Sequence, residues 1–161
     1  MDPMIRRVAP PDYDRIRELF TEGDEMNLAA MPHVFKRADS TRRRRDAYFD
    51  LMLADDHFEF LVADDAGRVV GFLQAHIEDA RRAPNLVDRQ TLFIDVLLVT
   101  EDSRKSGAGK ALMDSAHTWG RSRSATDVEL NVYEFNEGAL AFYDRLGYVT
   151  SSRRLWRDLP G

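Results

Sequence analysis

The residues Thr91-Leu92-Phe93-Ile94-Asp95-Val96-Leu97-Leu98-Val99 form the most apolar stretch of the chain. They run almost directly into Arg104-Lys105-Ser106-Gly107-Ala108-Gly109-Lys110. A β-rich run, a glycine loop and then apolar residues at helical spacing (Leu112, Met113, Ala116, Trp119) predict strand, loop and helix over 91–99, 104–110 and 109–121. The near-continuous hydrophobicity of 91–99 predicts a strand buried on both faces at the centre of a sheet.

The flanking segments extend this into a mixed α/β chain. Residues 4–8 read as a first strand ended by Pro10-Pro11. Asp12 then caps a helix carrying Ile16, Leu19 and Phe20, which Gly23 and Asp24 loosen. Residues 26–38 read as irregular because Pro32 opposes one continuous helix. Ser40 or Thr41 opens a second helix with Tyr48, Phe49, Met52 and Leu53 as its buried stripe. Strands at 58–63 and 68–77 flank a hairpin turn at 64–67, and 80–88 is a loop. A strand over 127–133, a helix over 136–146 ending at Gly147 and a last strand over 148–159 complete the order. No repeat or linker divides the chain, so one domain over 1–161 is expected.

Composition narrows the function. With 161 residues, 43% of them apolar, one substantial core is affordable. A net charge of −5 disfavours a general nucleic-acid binder and suits a cationic substrate. The absence of cysteine excludes disulfides, thiolate nucleophiles and Cys-type zinc sites. His33, His57, His76 and His117 are too scattered for a metal set, so no metal is expected. The first nine residues, interrupted by Asp2, Arg6 and Arg7, do not read as a secretory signal, and no run reaches the roughly 18 apolar residues of a membrane helix. A soluble, cytoplasmic protein with no membrane partner is expected.

The glycine loop has several candidate ligands. A nucleotide P-loop requires glycine at 104 and Ser or Thr at 111, where Arg104 and Ala111 stand; a dinucleotide fingerprint requires glycine at 112, where Leu112 stands. What remains is Arg104-x-x-Gly107-x-Gly109 after a strand. Its glycines allow close backbone approach, and its helix-start amides favour an anion such as a pyrophosphate. Taken alone, the same residues also describe a tight turn with a helix cap.

Downstream stands Asn136-Glu137-Gly138-Ala139-Leu140-Ala141-Phe142-Tyr143-Asp144-Arg145-Leu146-Gly147-Tyr148. With the loop, this block resembles the GNAT superfamily of N-acetyltransferases. There Arg/Gln-x-x-Gly-x-Gly/Ala is the coenzyme A motif, and a block matching Asn136, Ala139, Tyr143, Gly147 and Tyr148 follows it. The resemblance implies the GNAT acyl-CoA fold: a mostly antiparallel mixed sheet, helices on both faces, and a splayed parallel strand pair. It implies acetyl-CoA as co-substrate and a primary amine as acceptor. The style of the C-terminal half suggests a polyamine- or aminoglycoside-like amine, with peptide N-acetylation or a silent acyl-CoA sensor as alternatives. A homodimer is compatible with the C-terminal segment.

Residue by residue, the resemblance assigns the pyrophosphate to Arg104, Lys105, Ser106, Gly107, Ala108, Gly109 and Lys110. The pantetheine arm falls to the backbone of Leu97, Leu98 and Val99 and to Asn136, in a V-shaped opening between strands 93–99 and 127–133. Tyr143 matches the family's acid, whose phenol protonates the departing thiolate. Amides of Leu98 or Val99 fit the oxyanion. Phe93 and Asn131 occupy positions where some relatives carry a glutamate base, so Asp95 is the expected base, with Glu129 or a water chain through Tyr133 or Glu134 as alternatives. His33, Asn131 and Tyr133 are assigned to the acceptor, whose pocket residues 24–54 and 80–90 would shape. Arg42-Arg43-Arg44-Arg45, set among acidic residues, reads as a solvated helix face.

Overall fold

Asp64 Oδ1 accepts from the Gly67 amide at 2.7 Å. Ala66 and Gly67 both have positive φ, 52° and 89°, the two-residue turn whose twist suits a hairpin. In the computed structural model, which describes residues 2–37, 49–79 and 84–161, this turn joins β2 (Phe58–Asp65) to β3 (Arg68–Glu78). Strands β1 (Met4–Arg7), β4 (Thr91–Val99) and β5 (Asp127–Leu130) complete one sheet in the order β1-β2-β3-β4-β5. The first three pairings are antiparallel and β4–β5 is parallel. The chain divides into two compact units, Met1–Asn131 and Val132–Gly161.

Strand β3 occupies the sheet centre, buried from Val69 to Ala75. This corrects the expectation that 91–99 is central. Within β4, Thr91, Leu92 and Ile94 are buried while Val96, Leu97, Leu98 and Val99 are half-buried, because β5 pairs only as far as Ile94.

Helix α1 (Tyr13–Ala30) runs unbroken, against the expectation of a helix loosened at Gly23 and an irregular segment from 26. Gly23 does not break the helix. A Cβ there would lie 3.0 Å from Leu98 Cδ2, so glycine serves the close approach of α1 to β4. The helix stops at Met31, just before Pro32. Nor does Asp12 cap α1 through its side chain. Its carboxylate accepts from the Ala9 amide at 2.8 Å and from Arg6 at 2.8 Å. Arg6 also reaches Asp64 at 2.9 Å, tying β1 to the end of β2, and it holds the Asp12 carboxyl below its usual range.

On the α1 face, Ile16, Leu19 and Phe49 pack with Phe60, Val62 and Phe72; the Tyr13 and Phe49 rings stack at 5.7 Å. Phe49, Met52 and Leu53 take up the packing expected of them, whereas Ser40, Thr41, Tyr48 and the arginine run at 42–45 lie outside the described residues. Helix α2 (Ala108–Ser122) buries Leu112, Met113 and Ala116 on the opposite face, with Leu112 Cδ1 3.0 Å from the Cβ direction of Gly71. Each such large side chain contributes about 1.5–3 kcal/mol on leaving water.

Unit Val132–Gly161 contains helix α3 (Glu137–Arg145). Its C-terminus closes as the sequence requires: Gly147 has φ 87°, its amide donates to Asp144 O at 2.9 Å, and Tyr148 N donates to Tyr143 O at 3.0 Å. Residues 148–161 have no regular secondary structure, and β5 ends at Leu130, three residues short of the expected 133. A strand at 148–159 needs a ladder partner for its amides, and unit Val132–Gly161 contains no other strand.

Candidate active site

The parallel pair β4–β5 holds register from Thr91↔Asp127 to Ile94↔Leu130 and then stops, while β4 continues to Val99. At that point the β3–β4 ladder slips: Gln74 faces Val96 and Ala75 faces Ile94, leaving Asp95 as the extra residue of a β-bulge. Beyond the bulge, Thr100 N donates to Val70 O at 2.9 Å. Alternation along an antiparallel ladder then turns the amides and carbonyls of Leu98 and Val96 toward β3, and those of Leu97 and Val99 away from it. This narrows the expected oxyanion donors. The Leu98 amide is committed to Phe72 opposite, and Val99 alone of the two presents an open N–H.

The turn after β4 is pinned by Asp102. Its carboxylate accepts from Thr100 Oγ1 at 2.6 Å, Arg68 at 2.8 Å and Ser103 Oγ at 3.2 Å. These bonds, the Thr100 hydroxyl foremost, push its pKa down to about 2. Arg104 follows in extended backbone, Lys105 takes φ 69° and Gly107 takes φ 94° as the residue before α2. At +94° a Cβ would be strained, so glycine is required. No side chain caps α2. Ser106 Oγ lies 3.4 Å from Ala108 N, and among the described residues the amides of Gly107, Gly109 and Lys110 have no hydrogen-bond partner. Three open N–H groups at the positive end of a helix dipole form an anion cradle. The Lys110 ammonium is already paired with Asp114 of the next helical turn at 2.6 Å, which leaves Arg104 and Lys105 as the loop's cations.

Asp95 has a partner that sequence reasoning passed over. His76 Nδ1 lies 2.8 Å from Asp95 Oδ2, and both side chains are about one quarter exposed (26% and 25%). The imidazole sits between Phe58 and Phe93, with ring centroids 5.6 and 5.4 Å away. Burial raises the Asp95 pKa, opposed by the hydrogen bond from His76. The other candidate carboxylate on the paired strands, Glu129, is held by Arg89 at 2.7 Å, and Arg89 also pairs with Asp127. Asn131 is exposed just past β5, and His33 is exposed in the turn after α1.

Within Val132–Gly161, Tyr143 lies on α3 with its ring 5.5 Å from that of Tyr148 and 5.2 Å from that of Phe142. Burial pushes its phenol up to about 12, which keeps it protonated at neutral pH. Asn136 caps α3, its Oδ1 accepting from Ala139 N at 3.1 Å, so this side chain has a structural task of its own. Tyr133 is 45% exposed and stacks on Phe135 at 5.6 Å.

Among the described residues there is no group of three or more side chains that could hold a metal ion and no helix long and apolar enough to cross a membrane.

Comparison with known proteins fits this architecture. The chain is 34% identical over 144 residues to an uncharacterised N-acetyltransferase of Methanocaldococcus jannaschii, covering 89% of this chain and 59% of that protein. The chain spans little more than half the length of the first curated relatives it matches, 59% and 55%. A crystal structure of a point mutant of the BH1408 protein from Bacillus halodurans superposes with TM-score 0.91 at 24% identity, covering 98% of this chain and 99% of that one. The aminoglycoside N-acetyltransferase AAC(6')-Iy in complex with CoA gives TM-score 0.70 at 17% identity over 98% and 100% of the two chains. These structural likenesses establish the fold. The profile of the Acetyltransferase (GNAT) family matches residues 15–148, and the chain belongs to that family.

Proposed function

We propose that this protein transfers the acetyl group of acetyl-CoA to a primary amine of a small, cationic molecule, residues 1–161 acting as one catalytic domain. The observation that carries the reading is the second half of β4. Past Ile94 it has no β5 partner, and it leads into the open amides of Gly107, Gly109 and Lys110. An extended pantetheine arm is a strand-like partner for the outward groups of Leu97 and Val99, and a pyrophosphate suits the cradle, aided by Arg104, Lys105, Ser106 and Ala108. The structural neighbour that holds CoA, and a second structure of it with a bisubstrate analogue, CoA-S-monomethyl-acetylneamine, support a CoA donor and an amine acceptor.

The reaction is direct attack. The amine nitrogen bonds to the acetyl carbon, and the carbonyl oxygen gains charge facing the Val99 amide. The tetrahedral species then expels the thiolate. Tyr143 gives that thiolate its proton, the Asp95 side chain with its His76 partner serves the amine side, and Asn136, His33, Asn131 and Tyr133 bound the donor and acceptor ends. Placing two bound reactants accounts for much of the rate.

The test is thiol release from acetyl-CoA with polyamines, aminoglycosides and peptide N-termini, beside calorimetric CoA binding. Release with a small diamine or aminoglycoside above peptides is expected. CoA binding without release from any amine would point to an acyl-CoA sensor. Tyr143→Phe is expected to lower kcat by about 100-fold while leaving CoA affinity intact.

A further inference from the structure

We propose that the group that accepts the amine proton is His76 Nε2, and that Asp95 is its positioning residue. This rests on the acetyl-transfer reading and refines which atom of that site takes the proton.

The geometry is specific. Asp95 is the extra residue of the β4 bulge, and the bulge allows its carboxylate to reach across to β3, where Oδ2 accepts from His76 Nδ1 at 2.8 Å. A carboxylate on Nδ1 fixes the tautomer with the proton on Nδ1, so Nε2 carries the free lone pair. Among the described residues Nε2 has no hydrogen-bond partner. The Phe58 and Phe93 rings flank the imidazole at 5.6 and 5.4 Å and limit its rotation. His76 keeps 26% of its side chain exposed, enough for an acceptor amine to reach it. The pair stands on the α1 side of the sheet: Phe72 and Phe60, which share the alternation of His76 and Phe58 along their strands, belong to the core under α1. It also adjoins the end of the β4–β5 pairing, one residue past Ile94.

Among the described residues the imidazole has these neighbours. From β2 its neighbour is the Phe58 ring, from β4 the Phe93 ring and Asp95, and along β3 Glu78. Of the two carboxylates, Asp95 is the one in direct contact with the ring. Asp95 Oδ2 is already committed to His76 Nδ1 at 2.8 Å, so the second ring nitrogen is the better-placed acceptor.

The step balances without a further reagent. The amine lone pair forms the N–C bond, the carbonyl π pair moves to oxygen, and Nε2 takes one proton from the new ammonium centre. Collapse breaks C–S, the electron pair leaves with sulfur, and sulfur takes its proton from Tyr143. The imidazolium returns its proton to solvent, which restores the Tyr143 phenol.

The experiment compares the wild-type chain with His76→Gln and Asp95→Asn. It measures kcat/KM for thiol release from pH 5.5 to 9, CoA affinity, and the 15N shifts of the His76 ring. In the wild type, the ring spectrum shows the Nδ1–H tautomer, and the rate falls on the acid side. His76→Gln is expected to lose about 100-fold in kcat/KM with unchanged CoA affinity. Asp95→Asn is expected to lose about tenfold and to weaken the Nδ1–H preference in the ring spectrum, which a purely structural aspartate would not do. A His76→Gln rate within twofold of wild type across the range overturns the proposal while leaving acetyl transfer standing. An Nε2–H tautomer overturns it even if a variant fails to fold. A wild-type chain that binds CoA and releases no thiol, with His76 in the Nδ1–H form, counts against the acetyl-transfer reading instead.

Discussion

The two halves of β4 share one strand and almost one composition, yet they are built for different ends. Thr91 to Ile94 is flanked on both sides, by β3 and β5, and Thr91, Leu92 and Ile94 are buried. Asp95 to Val99 is flanked on one side only, carries the bulge, and is half-buried or exposed. The first half supplies stability, through side chains. In the proposed reaction the second supplies the chemistry, through main-chain groups turned outward and one polar side chain.

The strongest way to break this comparison is in the first half. Leu92 is 2% exposed, so Leu92→Ala removes buried methyl groups and leaves a cavity; a loss of about 2–5 kcal/mol is expected in urea unfolding. CoA affinity of the folded fraction should stay within twofold of wild type. A large fall in CoA affinity with little loss of stability would show that the halves are not separable in this way.

A smaller effect, of opposite kind, is expected in the second half. Proline at 99 deletes the Val99 N–H, which faces away from β3, and spares the ladder bonds at Leu98 and Thr100. Val99→Pro should therefore melt within a few degrees of wild type. Binding of acetyl-CoA should weaken about tenfold, the cost of one hydrogen bond of about 1.4 kcal/mol. Unaltered acetyl-CoA affinity in calorimetry would remove the Val99 amide from the donor site.

The division also explains what could be read in the sequence. The hairpin at Asp64 to Gly67, the α2 stripe of Leu112, Met113 and Ala116, and the Gly147 cap are local signals: turn chemistry and helical spacing within a few residues. The glycine loop was legible for the same reason. The central place of β3, the bulge at Asp95 and the His76–Asp95 contact depend on register between strands, which one sequence does not carry; polar residues at matching alternation on β3 and β4 were the only available hint. Gly23 misled because its reason is Leu98 across the helix–sheet interface, not the local backbone. The 148–159 strand failed because spacing cannot say whether a partner strand is present.

The mildest perturbation lies where the open half of β4 ends. Asp102 holds the turn into the cradle through Thr100, Arg68 and Ser103, and its pKa is pushed down to about 2. A carboxyl depressed in the folded state adds stability above its unfolded value of about 3.9, and that stability is lost as pH falls through the folded value. Between about pH 4 and pH 2 the turn should therefore loosen as Asp102 takes up its proton, seen as faster amide exchange at Ser106 to Lys110 ahead of global unfolding. Asp102→Asn should produce the same loosening at neutral pH, with CoA affinity reduced a few-fold and the melting temperature little changed, because the side chain is at the surface. If exchange in the loop and CoA affinity both match the wild type, the cradle holds its shape without Asp102, and the backbone conformation at Lys105 and Gly107 alone sets it.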